Sequence, residues 1–175
     1  MRNNKNISKV SIIMGSQSDY STMKFCEKVL KILKISFEKT KIAGSIAAGA
    51  LDEVNNIIKP GVSTLDIDKL CYQYINDNKA FSAPLYYRGY PNSCCTSTNH
   101  IVCHGIPSKK ILNEGDIVNV DVTAIKDGWH GDTSRMFIVG ECSVKAKKLI
   151  KITYEAMIEG IKTIKANTKI GDIGY

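Results

Sequence analysis

The stretch IVNVDVTAIKDGWHGDTSRMFIV, residues 117 to 139, constrains the fold of this chain more than any other. Apolar and polar residues alternate along each arm, which is the two-residue period of a half-buried strand. Between the arms, Lys126-Asp127-Gly128 is turn chemistry, so the stretch reads as a β-hairpin. Each arm carries an aspartate near its middle, Asp121 and Asp132. Aspartate is depleted in strands because its short polar side chain competes for backbone hydrogen bonds. A turn centred on Lys126-Asp127 puts Asp121 directly opposite Asp132. A turn centred on Asp127-Gly128 puts Asp121 opposite Ser134, with Asp132 its diagonal neighbour. Both registers gather the two carboxylates on one face, whereas a loop of odd length would split them unless a bulge corrected the slip. Like charges about 4 Å apart repel by roughly 1 kcal/mol in water and roughly 4 kcal/mol near a protein surface. Two readings follow: a solvated face with ordinary surface aspartates, or a pair held together by a cation or a raised carboxyl pKa.

The rest of the pattern mixes helices with strands. Residues 9 to 14, KVSIIM, read as a buried strand, followed by the turn GSQSDY and an amphipathic helix over about 21 to 33. A second helix is expected from about Lys41 to Ile58, ended by Lys59-Pro60-Gly61. Thr64, with Asp66 in the first turn, opens a third, whose apolar stripe is Ile67, Leu70, Cys71, Tyr74 and Ile75. Short β segments run through CCTSTNHIVCHGIP, and Ser143 caps a long helix with Ala146, Leu149, Ile150, Met157, Ile161 and Ile164 along one broad face. The closing TKIGDIGY reads as the start of a further helix. Near residues 35 to 41 an α/β pattern that should return to a parallel strand passes straight into helix. That break divides the chain into residues 1–38 and 39–175.

No apolar run approaches the roughly 18 residues of a membrane span, and the first residues lack a signal-peptide pattern, so a cytoplasmic protein with no membrane partner is expected. The six cysteines, Cys26, Cys71, Cys94, Cys95, Cys103 and Cys142, form no CxxC pair and read as reduced, mostly buried thiols. The formal net charge of +7 comes from scattered lysines. It does not mark a specific nucleic-acid site, though it suits loose association with an RNA-rich partner. Nothing in the sequence sets an oligomeric state.

Four strings, KIAGSIAAGALDEV, KPGVSTLDIDKLC, APLYYRGYPNSCCTSTNHIVCHGIP and LNEGDIVNVDVTAIKDGWHGDTSRMFIVG, carry a resemblance in unbroken register over about residues 40 to 175. They resemble the amino-terminal half of the type I methionine aminopeptidases. The resemblance implies an α+β fold that is an incomplete pita-bread half-domain with an N-terminal βα fragment in front of it. It also implies a metallopeptidase that removes the initiator methionine from nascent polypeptide N-termini, near the ribosome. Asp121 and Asp132 would be ligands of a dinuclear centre of Co, Mn, Fe or Zn, with Asp132 bridging the ions. His104 matches a substrate-contacting histidine that donates a hydrogen bond around the scissile peptide, and Tyr87, Tyr90 and Cys95 match the wall of the methionine pocket. His100 and His130 are read as structural, and Arg88 stands where many relatives carry histidine. The family's centre also takes a histidine and two glutamates from a second half, and the 175 residues end before positions that match them. The expectation is a half-built metal site with an exposed apolar face and no methionine release of its own.

A different resemblance covers residues 8 to 34. VSIIMGSQSDYSTMKFCEKVLKIL is similar to the first strand, loop and helix of carboxyaminoimidazole ribonucleotide mutase, a purine-biosynthesis enzyme. Ser16 and Asp19 match that family's ribonucleotide-contacting loop, where backbone N–H groups meet a phosphate. The mutase's next strand and its catalytic histidine and arginine do not follow. No mutase activity is expected from this piece.

Overall fold

A computed structural model of the chain describes residues 38–165 and 167–174. The strand and helix expected before residue 38, together with Ser16, Asp19 and Cys26, lie outside them. The described elements are α1 (Glu38–Ile57), α2 (Thr64–Asp77), β1 (Phe81–Ser82), a single 3-10 turn (Tyr87–Gly89), β2 (Cys95–Thr98), β3 (Ile117–Lys126), β4 (Trp129–Ile138), α3 (Val144–Lys162) and the short α4 (Gly171–Gly174). The fold is α+β, with helices laid on one face of a small antiparallel sheet.

The hairpin is the centre of that sheet. Asp127 and Gly128 take φ of 51° and 78°, the two left-handed residues of a type I′ turn, whose twist matches the flanking strands. The turn therefore sits on Asp127-Gly128 and selects the second register: Asp121 pairs with Ser134, and Thr123 pairs with Asp132. On β3 the even positions, Val118, Val120, Val122 and Ala124, are wholly buried. They pair with Phe137, Arg135, Thr133 and Gly131 of β4, and this is the face that meets the helices. The odd positions, including Asp121 and Thr123, point the other way. β1 and β2 flank β3 on its other side, with Cys95 directly opposite Asp121.

α1 covers the apolar face with Ala43, Ile46, Ala47, Ala50, Leu51 and Val54, a helical stripe rich in small residues. Small size matters because helix and sheet backbones nearly touch: a Cβ on Gly131 would collide with the backbone of Ala43 and Gly44. The second layer is α2, whose Ile67, Cys71 and Ile75 are completely buried, with Leu70 and Tyr74 packed partly against them.

The α2 cap falls one residue earlier than Thr64. Ser63 is the N-cap, its Oγ accepting from the Asp66 N–H at 3.1 Å while the Asp66 carboxylate accepts from the Ser63 N–H at 3.2 Å. This is a capping box, for which a hydroxyl and an acid three residues apart are required. Hydrogen bonding to Ser63 holds the Asp66 carboxyl below its ordinary value. Thr64 is freed for another contact and exchanges hydrogen bonds with the Ser108 backbone at 2.9 and 3.0 Å. Of the β segments expected over CCTSTNHIVCHGIP, only Cys95–Thr98 forms a strand.

Ser143 caps α3, accepting from the Ala146 N–H at 3.2 Å. Gly160 alone is buried among that helix's residues, and Leu149, Ile152 and Met157 are at least half exposed. Among the described residues no helix is long and apolar enough to cross a membrane. Of the five described cysteines Cys71, Cys94 and Cys95 are buried, Cys142 is partly so and Cys103 is exposed, all as free thiols.

Candidate functional site

The outward face of the hairpin forms the floor of a cleft of about 780 Å³. Six residues singled out in the sequence converge on it: Tyr87, Tyr90, Cys95, His104, Asp121 and Asp132. They come from the 3-10 turn and the residue that follows it, β2, the loop after it, and the two arms of the hairpin, so no single segment carries the constellation.

The carboxylates are coupled. Burial, then the charge of Asp132 and a hydrogen bond between the two carboxyl groups, push the Asp121 carboxyl up to about 6, while the nearby His104 acts in the opposite direction. The Thr123 hydroxyl donates to Asp132 Oδ1 at 2.9 Å and fixes that carboxylate's orientation. Neither aspartate has an ion-pair partner among the described residues. Two carboxylates on one face, with the Asp121 carboxyl raised by its neighbour and no ion pair formed among the described residues, suit a divalent cation, which would relieve the repulsion. The described residues contain no group of three or more His, Cys, Asp or Glu arranged to hold a metal, so the pair supplies part of a coordination sphere.

The walls carry different chemistry. Burial raises the Cys95 thiol above its ordinary value; a hydrogen bond with Tyr90 works against this, and the charges of Asp121 and Asp132 add to it. The sulfur is thereby kept neutral. Burial also raises the Tyr90 phenol far above its usual range, so its hydroxyl remains a donor. His104 has a φ of 54°, a left-handed conformation that costs a non-glycine residue on the order of 1 kcal/mol or more. Tyr87 is largely exposed, with the Arg88 guanidinium 5.5 Å from its ring centre. Arg88 itself has a φ of 48° and lines the cleft.

Sequence reasoning passed over Thr123, read His130 as structural, and missed Asp68, which supports the cleft without lining it. Thr123 and His130 both line the cleft, and His130, read as structural, lies two residues before Asp132 on the same strand face. The two-residue period was the signal that would have found both. The third is Asp68, 8% exposed, whose carboxylate accepts from Asn92 Nδ2 (2.8 Å), Ser93 N (2.8 Å), Ser93 Oγ (2.7 Å) and Cys94 N (3.1 Å). It anchors the segment joining Tyr90 to Cys95 onto α2, a long-range contact with no local signature. His100 is exposed and takes no part in the cleft.

The sequence profile of metallopeptidase family M24 matches residues 38–175. Over 139 residues the chain is 52% identical to the methionine aminopeptidase of Rickettsia prowazekii (strain Madrid E), covering 79% of this chain and 54% of that protein. It is 48% identical over 139 residues to the methionine aminopeptidase of Escherichia coli (strain K12), covering 78% of this chain and 53% of that one. The chain thus spans about half the length of the curated relatives it matches. Among solved structures, the crystal structure of methionine aminopeptidase from Rickettsia prowazekii is similar with a TM-score of 0.75 at 44% identity, over 95% of this chain and 60% of that one. That of the methionine aminopeptidase from Thermotoga maritima also gives a TM-score of 0.75, at 39% identity, over 78% of this chain and 55% of that one. The half-domain described above corresponds to one half of the pita-bread architecture of these neighbours.

Proposed function

We propose, from the premise that this chain belongs to metallopeptidase family M24, that it carries one half of the metal centre of a methionine aminopeptidase, an enzyme that removes the initiator methionine from nascent polypeptides. The observation that carries the reading is the gathering of Asp121 and Asp132 on one strand face, at the bottom of a cleft and without an ion-pair partner among the described residues. In this reading Asp121 and Asp132 would both hold the divalent ions, with Asp132 expected to be shared between them. When bound, divalent ions would acidify a water and polarise the scissile carbonyl. Co, Mn, Fe and Zn all accept oxygen donors, and two carboxylates do not select among them.

The remaining roles belong to the chain's own side chains. Thr123 orients the Asp132 carboxylate through its 2.9 Å hydrogen bond. His104 donates a hydrogen bond to the peptide being cleaved. Tyr87, Tyr90 and Cys95 form the wall against the methionine side chain, where a neutral thiol and aromatic rings suit a thioether. The partner is a polypeptide N-terminus, met near the ribosome, with no specific nucleic acid and no membrane.

The test is to add Mn²⁺ to the chain and follow paramagnetic broadening of hairpin amides. Broadening centred on Asp121 and Asp132, and abolished in Asp132→Asn, supports the reading; its absence in the parent ends it. Because two carboxylates leave an ion under-coordinated, the 175 residues alone are expected to release no methionine from a Met-Gly-type peptide. Robust release would show that no further donors are needed. The mutase reading of residues 8 to 34 stands on its sequence string; with Ser16 and Asp19 but no following mutase elements, calorimetry against the mutase's ribonucleotide substrate is expected to show no saturable heat.

A further inference from the structure

The Gly105 peptide is held between two hydroxyl groups. Ser97 Oγ accepts from the Gly105 N–H at 3.1 Å. The Tyr90 hydroxyl donates toward the Gly105 carbonyl at 3.1 Å, sharing its proton with the Cys94 carbonyl at 3.0 Å. The Gly105 carbonyl also accepts from the Thr96 N–H at 2.8 Å. The approach to β2 is so close that any side chain at 105 would collide with the Thr96 carbonyl.

Immediately before this pinned peptide stands His104, at a φ of 54°. Its imidazole has no hydrogen-bond partner among the described residues, yet it lines the cleft with Asp121 and Asp132. With no hydrogen bond to the ring from the described residues, its place is set through the backbone, and a left-handed backbone at a non-glycine residue persists only where its surroundings enforce it. We infer that Tyr90 and Ser97 are positioning residues for His104: by clamping the Gly105 peptide they hold His104 in the conformation that keeps its imidazole in the cleft beside the two aspartates. This rests on the reading of the cleft as a metallopeptidase site in which His104 meets the substrate. It gives Tyr90 a second task besides walling the pocket, and it brings in Ser97, 5% exposed, which does not line the cleft.

The experiment uses the full 175-residue chain, free Mn²⁺ as probe, and the ring signals of His104 and His130. In the parent, Mn²⁺ should relax both rings. Tyr90→Phe keeps the ring that lines the pocket and removes the hydroxyl; Ser97→Ala removes the other half of the clamp without touching the cleft. In each, the Mn²⁺ effect on His104 should fall on the order of fivefold, the population change expected from losing one hydrogen bond, while His130 and the hairpin amide pattern stay as in the parent. An unchanged His104 effect in both variants overturns the inference. So does a parallel fall at His130, or loss of the hairpin pattern in both variants, since either marks a role in general stability. If Mn²⁺ relaxes neither ring in the parent, the metal reading itself fails and takes the inference with it.

Discussion

Thr123 and Asp132 stand opposite one another across the hairpin, joined by a 2.9 Å hydrogen bond, and Asp121 lies two residues from Thr123 on the same face. That diagonal places the two carboxylates side by side, and most of the behaviour expected of the cleft derives from it.

The first consequence concerns pH. The Asp121 carboxyl titrates near 6 in the folded chain, against an ordinary value of 3.8. The native state therefore holds this proton more tightly than the unfolded state, and the stability it contributes is complete below 3.8 and lost as pH rises through about 6. After discounting for partial solvent screening, the loss should be about 1 to 2 kcal/mol. Urea denaturation of the metal-free chain should show its midpoint falling over this window, with Asp121→Asn flat across it. Millimolar Mn²⁺ should restore the stability lost at neutral pH, because it binds the ionised pair of the folded state. A parent midpoint that does not fall would contradict the coupling.

Thiol labelling reads the same charges from another position. Cys103 is exposed, whereas Cys95 is buried and its thiol is raised first by burial and further by Asp121 and Asp132. Iodoacetamide at neutral pH should modify Cys103 before Cys95, as followed by peptide mass spectrometry. A divalent ion on the aspartates removes part of the opposing charge, so Cys95 labelling should quicken when Mn²⁺ is added. Equal rates with and without metal would argue against an ion beside that thiol.

Gly131 tests the packing that supports the cleft from behind. A methyl group there meets the backbone of Ala43 and Gly44, which cannot rotate aside as a side chain can. Gly131→Ala should destabilise by about 3 kcal/mol or more. Gly128→Ala, at a φ of 78° with open space around it, suffers only backbone strain and should cost about 1 kcal/mol. Thermal melts that rank the two the other way would refute the close approach of α1 to β4.

Asp68 gives the largest expected loss. Its carboxylate satisfies donors from Asn92, Ser93 and Cys94 in a buried setting, and Asp68→Ala leaves the Ser93 and Cys94 N–H groups without an acceptor. The expected destabilisation is about 3 to 5 kcal/mol, read by denaturant titration. Because this anchor holds the segment between Tyr90 and Cys95, fluorescence of the tyrosines near the cleft should change before global unfolding.

Much of the fold was legible because its determinants are local. Strand alternation over 117 to 139, the Lys-Asp-Gly turn, the apolar stripe of α2 and the Ser143 cap each depend on residues within a few positions of one another. The opening of α2 at Thr64, with Asp66 in its first turn, was legible too, whereas the capping box that Ser63 makes with Asp66 was not read, although a hydroxyl three residues before an acid is its signal. The likeness of the strings from 40 onward to one family pointed to Asp121, Asp132, His104, Tyr87, Tyr90 and Cys95, and the structure brings all six to one cleft.

What the sequence determined by itself was the face: a two-residue period commits Asp121 and Asp132 to the same side in either even register. Only the tertiary structure chose between those registers, through the left-handed pair Asp127-Gly128, and only it joined β2, the His104 loop and the Asp68 anchor to the hairpin. The physical reason is range. Periodicity and caps are written in neighbouring residues, whereas a cleft is made by contacts between segments tens of residues apart, and no local pattern records which of those contacts win.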